Sequence, residues 1–284
     1  MRIVFFVNYD IESSLALNLL WSDFSDHFAG IFYTRQIGGA QRRGAKMLDQ
    51  LAFVERTVLA GLVFEVLEMK SGANGYFLTF DEMSRYYDGP FEALDNVRDA
   101  ATLEKLRALN ADLFVSIRFG KIFGAAALAI PRHGVLNLHS GLLPQYRGVL
   151  ATFRALMNGD QHIGCTLHWI DSPEIDRGEI LGKARIRVRP EHSLLRHVAS
   201  LYAPGAELIA KAIRQLLAGK RPSGEPQDPN EGAYYSFPTD QELIDFTARG
   251  WRLWDPEDID DLTCSYGWGD EVNGEIAMTA AEPE

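Results

Sequence analysis

What most limits the folds open to this chain is an alternation: short apolar runs, each followed by a longer stretch with helical spacing. Residues 1–7, Met-Arg-Ile-Val-Phe-Phe-Val, read as a buried strand, and residues 11–24 as a helix. Ile31-Phe32-Tyr33 suits a second strand. Residues 35–46 are rich in Gly, Gln and Arg and read as a loop entering a helix over about residues 45–60. Residues 64–67 have strand character and residues 96–109 are helical in pattern. Leu113-Phe114-Val115-Ser116-Ile117 is a strand, and Gly134-Val135-Leu136-Asn137-Leu138 another, ending at His139. Unbroken apolar runs belong to parallel strands buried on both faces. Their alternation with helices specifies an α/β fold with a Rossmann-like, mostly parallel sheet. Ligands gather at the carboxyl ends of such strands. Two of these ends are polar: one at Arg118, one at Asn137 and His139.

Residues 164–170 and 180–188 read as further strands, and residues 193–217 as a long helix interrupted near Pro204. Residues 219–230 hold three Pro and two Gly and read as a linker. The expected organisation is a body over 1–217 and a linker with an acidic, aromatic C-terminal extension over 218–284. Charge divides the same way. Residues 221–284 carry 16 Asp/Glu against three Arg and no Lys, a net of -13, which leaves +2 for residues 1–220 out of the total of -11. Nucleic-acid binding needs a basic stripe to neutralise phosphates, and none is visible. No apolar run approaches the ~20 residues of a membrane span. The amino-terminal run lacks the long apolar region and cleavage site of a signal peptide, so a cytoplasmic location is expected. The two cysteines, Cys165 and Cys264, make neither a disulfide framework nor a metal cluster. No metal is expected.

Asn137 and His139 lie two apart on a strand, so both side chains leave the same face. An amide donor and an imidazole then point together into the crevice at the strand end. Pro144 ends any central strand there. Asn158-Gly159-Asp160 is a strong turn signal closing the following helix. The next strand leads to two carboxylates, Asp171 and Asp176.

Asn137-Leu138-His139-Ser140-Gly141-Leu142-Leu143-Pro144, with Gly148 soon after, resembles the signature of the folate-dependent formyltransferase family. Asn158-Gly159-Asp160, Gly164-Cys165-Thr166 and Asp176-Arg177-Gly178-Glu179-Ile180-Leu181 match it in order and approximate spacing, and the specific likeness covers about residues 110–182. The resemblance implies formyl transfer from 10-formyltetrahydrofolate to an amine. Asn137, His139 and Asp176 would be the catalytic residues, with a tetrahedral oxyanion stabilised by Asn137 and His139. The folate would lie against Phe119, Gly120, Lys121, Ile122 and Phe123, closed over by Leu142, Leu143 and Pro144 and by Glu174 and Ile175. Two departures stand out. The family serine before Leu-Leu-Pro is Gly141. The family stretch Asp-x-Gly-x-Asp is Asp171-Ser172-Pro173-Glu174-Ile175-Asp176, one residue longer and without its glycine, which keeps Asp171 open as the fallback carboxylate.

The family contains several acceptors. A basic C-terminal barrel normally serves methionyl-tRNA, and the acidic extension fits that poorly. Glycinamide ribonucleotide enzymes usually end near the catalytic domain. Nucleotide-linked amino sugars are the preferred expectation, with a hydroxyornithine-like amine or antibiotic intermediate as the alternative. A formyltetrahydrofolate hydrolase normally carries an added N-terminal domain, whereas this chain starts on its first strand. A non-catalytic folate-binding protein is the reading from a different class. A homodimer is compatible with the sequence. Arg35, Arg42, Arg43 and Lys46 read as a solvated face or as partners of a phosphate or the folate glutamate. His168 reads as structural. Tyr234, Tyr235 and Trp251 are packing residues or acceptor contacts.

Overall fold

The computed structural model describes residues 1–35, 46–69 and 77–266. Arg42, Arg43 and the end of the acidic extension lie outside them. Among these described residues nine strands form: β1 (Ile3–Asn8), β2 (Phe28–Thr34), β3 (Phe91–Ala93), β4 (Leu113–Ile117), β5 (Val135–His139), β6 (Tyr146–Gly148), β7 (His162–Ile170), β8 (Ile180–Arg187) and β9 (Ala233–Tyr235). Seven make one sheet in the order β3-β2-β1-β4-β5-β7-β8. The pairs from β3 to β5 are parallel, and β7 and β8 join antiparallel. The parallel α/β architecture is the one expected.

The period of two is visible in the core. Ile3, Phe5 and Val7 of β1 enter one hydrophobic cluster, while Val4 and Phe6 enter the other on the opposite face. The same split puts Leu136 and Leu138 of β5 on the first side and Val135 on the second. Asn137 and His139 therefore share the face of Val135.

The helices are α1 (Ile11–Phe24), α2 (Lys46–Phe53), α3 (Phe64–Met69), α4 (Phe80–Tyr86), α5 (Ala100–Ala108), α6 (Ala125–Leu128), α7 (Ala151–Asn158), α8 (Leu194–Ala199), α9 (Tyr202–Leu217), α10 (Asp240–Ala248) and α11 (Glu257–Thr263). A π-helical stretch, Val54–Val63, joins α2 to α3. The strand expected at residues 64–67 is thus helix. Leu48, Leu51, Leu59, Val63 and Leu67 are all buried at helical spacing, and a four-residue apolar run alone does not separate the two periods. The break in the long helix falls at Ser200 and Leu201, with Pro204 in the first turn of α9, where a missing N–H costs nothing. Gly159 ends α7 with φ 76°, as the Asn-Gly signal predicts.

The stretch at 219–230 is pinned to the body. Ile180 and Glu225 exchange N–H···O bonds of 2.8 and 2.9 Å, and Gly224 N–H donates to Glu179 at 2.6 Å. β9 then pairs with β6. Further on, Phe246 packs on Phe153 with ring centroids 4.7 Å apart, and the buried Tyr266 hydroxyl donates to Ser14 at 2.8 Å. No helix among the described residues is long and apolar enough to cross a membrane.

Candidate active site

A cleft runs over the carboxyl ends of β4 and β5. Antiparallel pairing sets Asn137 directly opposite His168 and His139 opposite Thr166. His168 Nδ1 faces the Trp169 carbonyl at 2.8 Å. His168 Nε2 lies 3.1 Å from Asn137 Nδ2, and the Asn137 side chain lines the cleft.

His139 lies between two acceptors. Nε2 contacts the Tyr146 carbonyl at 2.6 Å, and Nδ1 is 3.5 Å from Asp176 Oδ2. The imidazole is thereby fixed between a carbonyl and a carboxylate at the strand end.

Asp176 completes the cluster. It adopts φ 54°, which turns its carboxylate back to accept the Gly148 N–H at 2.9 Å. Its Oδ1 is 3.5 Å from His168 Nε2. Burial alone would raise the carboxyl, but His139, then His168 and the Gly148 N–H outweigh it and hold it down at about 2. Asp171 is exposed and outside the cluster, so the longer loop delivers Asp176 to the histidines. His168, which reads as structural in the sequence, touches both Asn137 and Asp176. A lone histidine on a strand carries no signal of this; the β5–β7 register creates the contact.

Two glycines fit this geometry. At Gly141 a Cβ would lie 2.4 Å from the Ala151 Cβ and 2.7 Å from His139 Nε2. The family serine is therefore excluded by packing against the catalytic candidate. Gly141→Ser is expected to displace His139 and lower kcat by roughly 10–100-fold, with steady-state rates as the measurement. Gly148 has φ 94° and a Cβ there would meet the Tyr235 carbonyl at 2.2 Å.

The pinned stretch reaches the same loop. Gln227 Nε2 donates to the main-chain carbonyls of Asp176 and Gly178 at 2.9 and 2.8 Å, and Arg177 donates to the Pro229 carbonyl at 2.9 Å. Gln227 thus clamps the turn that carries Asp176. Gln227→Ala should cost about 1–3 kcal/mol of stability through orphaned acceptors and lower kcat more than it changes KM. Thermal melts and steady-state rates measure both.

Phe119, Gly120, Lys121, Ile122 and Phe123 line the cleft, as do Glu174 and Ile175. Leu142, Leu143 and Pro144 do not. Leu143 is buried and its N–H donates to Thr166 Oγ1 at 3.1 Å, so that loop backs the cleft from behind. Tyr234 lines the mouth, whereas Tyr235 packs on Tyr146 and Trp251 on Phe246. Arg35 stacks over Tyr9 at 4.0 Å, and Lys46 is exposed. Among the described residues no group of three His, Cys, Asp or Glu side chains is placed to hold a metal ion.

The family model described as formyl transferase matches residues 49–213. The methionyl-tRNA formyltransferase of Listeria monocytogenes serovar 1/2a is 33% identical over 157 residues, 55% of this chain and 50% of the relative. That of Methylacidiphilum infernorum is 35% identical over 157 residues, 54% and 48% of the two chains. The match thus spans about half the length of these relatives. An N-formyltransferase from Helicobacter canadensis, solved with folinic acid and dTDP-3-aminofucose, superposes with a TM-score of 0.53 at 16% identity, covering 83% of this chain and 71% of that one. Glycinamide ribonucleotide transformylase 1 from Symbiobacterium toebii gives a TM-score of 0.53 at 17% identity, covering 80% and 95%. At such identities the likeness is one of fold.

Proposed function

Since the chain belongs to the formyl transferase family, we propose that it moves the formyl group of 10-formyltetrahydrofolate onto a primary amine. The observation that carries this reading is the convergence of Asn137, His139 and Asp176 at one strand end, beside an apolar wall. Phe119, Ile122 and Phe123, with Ile170 and Ile175 facing them, suit a flat pterin, and the main chain of residues 119–123 and 172–175 supplies the polar contacts such a ring needs. The folate substrate brings an activated formyl carbon. Asn137 supplies an N–H where negative charge develops, and His139 supplies a fixed imidazole beside it. Asp176 orients His139. None of these roles needs a covalent enzyme intermediate.

Two acceptor classes follow. One is a nucleotide-linked amino sugar, as in the Helicobacter canadensis complex. The other is a further small amine. Methionyl-tRNA is the weaker choice because the C-terminal 64 residues carry a net of -13. We assign catalysis to residues 1–217, in the cytoplasm. The test follows tetrahydrofolate release from 10-formyltetrahydrofolate with and without amines. Amine-dependent release with a formylated product supports transfer, and equal release without amine sinks it in favour of hydrolysis.

A further inference from the structure

Two of the groups that hold the reacting side chains lie on β6, a strand of three residues. The Tyr146 carbonyl meets His139 Nε2 at 2.6 Å, and the Gly148 N–H donates to Asp176 at 2.9 Å. Tyr146 is also held through its hydroxyl, which donates to Asp160 at 2.7 Å. Gly148 has only its main chain to place it. β6 stands outside the seven-stranded sheet, and its strand partner among the described residues is β9, in the acidic extension. An isolated pair of short strands is marginal, so the place of β6 depends on what fixes β9.

The main chain of β9 brackets β6. The Ala233 N–H donates to the Gln145 carbonyl at 3.2 Å, and the Tyr235 carbonyl accepts the Val149 N–H at 3.0 Å. Between them Arg147 reaches the Asp228 carbonyl, in the same extension, at 3.4 Å. The two backbones touch at a glycine on each side. A Cβ on Gly148 would lie 2.2 Å from the Tyr235 carbonyl oxygen, and one on Gly232, at φ 71°, 1.6 Å from that of Pro144. Approaches this close need a residue without a Cβ. Beyond the strand, Arg154 of α7 donates to the Ser236 carbonyl at 3.2 Å and pairs with Glu242 of α10. Tyr234, Ser236 and Phe237 line the cleft itself.

We propose, on the formyl-transfer reading, that β9 is a positioning element of the active site: by holding β6 it sets the Gly148 N–H that fixes Asp176 and the Tyr146 carbonyl that fixes His139. The reacting side chains lie within residues 1–217, while the strand that places two of them lies beyond. A displacement of about 1 Å at such groups costs up to about 10²-fold in rate.

The experiment compares Gly232→Ala with Gly250→Ala in the full chain. Gly250 lies in the same extension at φ 88°, and a Cβ there meets nothing within 4 Å. Both variants carry the backbone cost of a left-handed alanine, and Gly232→Ala alone drives β9 off Pro144. Gly232 is exposed, so the strand has room to lift while the core stays folded. Formyl transfer from 10-formyltetrahydrofolate is followed with the better of two amines, a dTDP-linked amino sugar and L-leucinamide. Gly232→Ala is expected to lose about tenfold or more in kcat, with the dissociation constant of tetrahydrofolate within about threefold of wild type. Its melting temperature should stay near that of Gly250→Ala. The His139 imidazole resonance, identified by its loss in His139→Ala, is expected to shift in Gly232→Ala and to hold in Gly250→Ala. Ala233→Pro, which deletes the N–H donated to Gln145, is the milder second variant and should show both changes, with about a threefold loss of kcat. A wild-type resonance and kcat in Gly232→Ala overturn the proposal, as does an equal loss of kcat in Gly250→Ala. A wild-type chain that formylates neither amine counts against the transfer reading, and the imidazole resonance then decides on β9.

Discussion

His139→Ala is expected to lower kcat by about 10²–10³-fold while tetrahydrofolate still binds. The loss follows from the site's geometry. His139 is buried, and its ring is locked between the Tyr146 carbonyl and Asp176. A polar group fixed in a water-poor site stabilises a developing oxyanion without reorganising when the reaction occurs. Truncation removes that group and leaves Asp176 beside an empty space. Asn137→Ala is expected to cost a similar factor by removing the amide that His168 contacts. The apolar side chains proposed to face the pterin, Phe119, Ile122 and Phe123, stay in place in both variants, so the folate dissociation constant should change by less than about threefold. Stopped-flow or steady-state formyl transfer, paired with calorimetric titration of tetrahydrofolate, separates the two quantities. Wild-type kcat in His139→Ala would refute the assigned role.

These predictions draw on features unequally visible in the sequence. β1 and β4 were legible because every residue in each is buried, and such strands read as continuous apolar runs. β3, β6 and β9, at three residues each, are too short to leave a pattern. Residues 64–67 misled because the helix that contains them has a π-helical stretch immediately before, which blurs the 3.6 period. At the site, the shared face of Asn137 and His139 followed from strand alternation, and their assignment as catalytic residues from the family motif. Asp176 needed the family motif, since a loop of six residues has no period to place a carboxylate. His168 and Gln227 were invisible for another reason: each acts through a partner 31 or 51 residues away in sequence, and only the folded register brings them together. Gly141 illustrates the converse. Its departure from the family pattern was plain, but its cause is the 2.7 Å approach to His139 Nε2.

Asp176→Asn should lower kcat by about 10²-fold or more and also change how stability depends on acid. The folded carboxyl titrates at about 2, against an ordinary value of 3.8. A group depressed on folding binds fewer protons in the native state. Its stabilisation is complete above the unfolded value, and is lost as pH falls from about 3.8 toward 2. A shift of nearly two units corresponds to roughly 2 kcal/mol. Denaturation curves between pH 2 and 5 should therefore show wild type losing about that much more stability than Asp176→Asn. Asp171→Asn is the matched control. Asp171 is exposed, and the carboxylate paired with both histidines is that of Asp176, so the Asp171 variant should keep wild-type kcat and the wild-type acid profile. An Asp171→Asn enzyme as impaired as Asp176→Asn would mean that the longer loop delivers the other carboxylate during turnover. If Asp176→Asn alone fails, the αL turn clamped by Gln227 is what lets a loop one residue longer than the family pattern still present its carboxylate to His139.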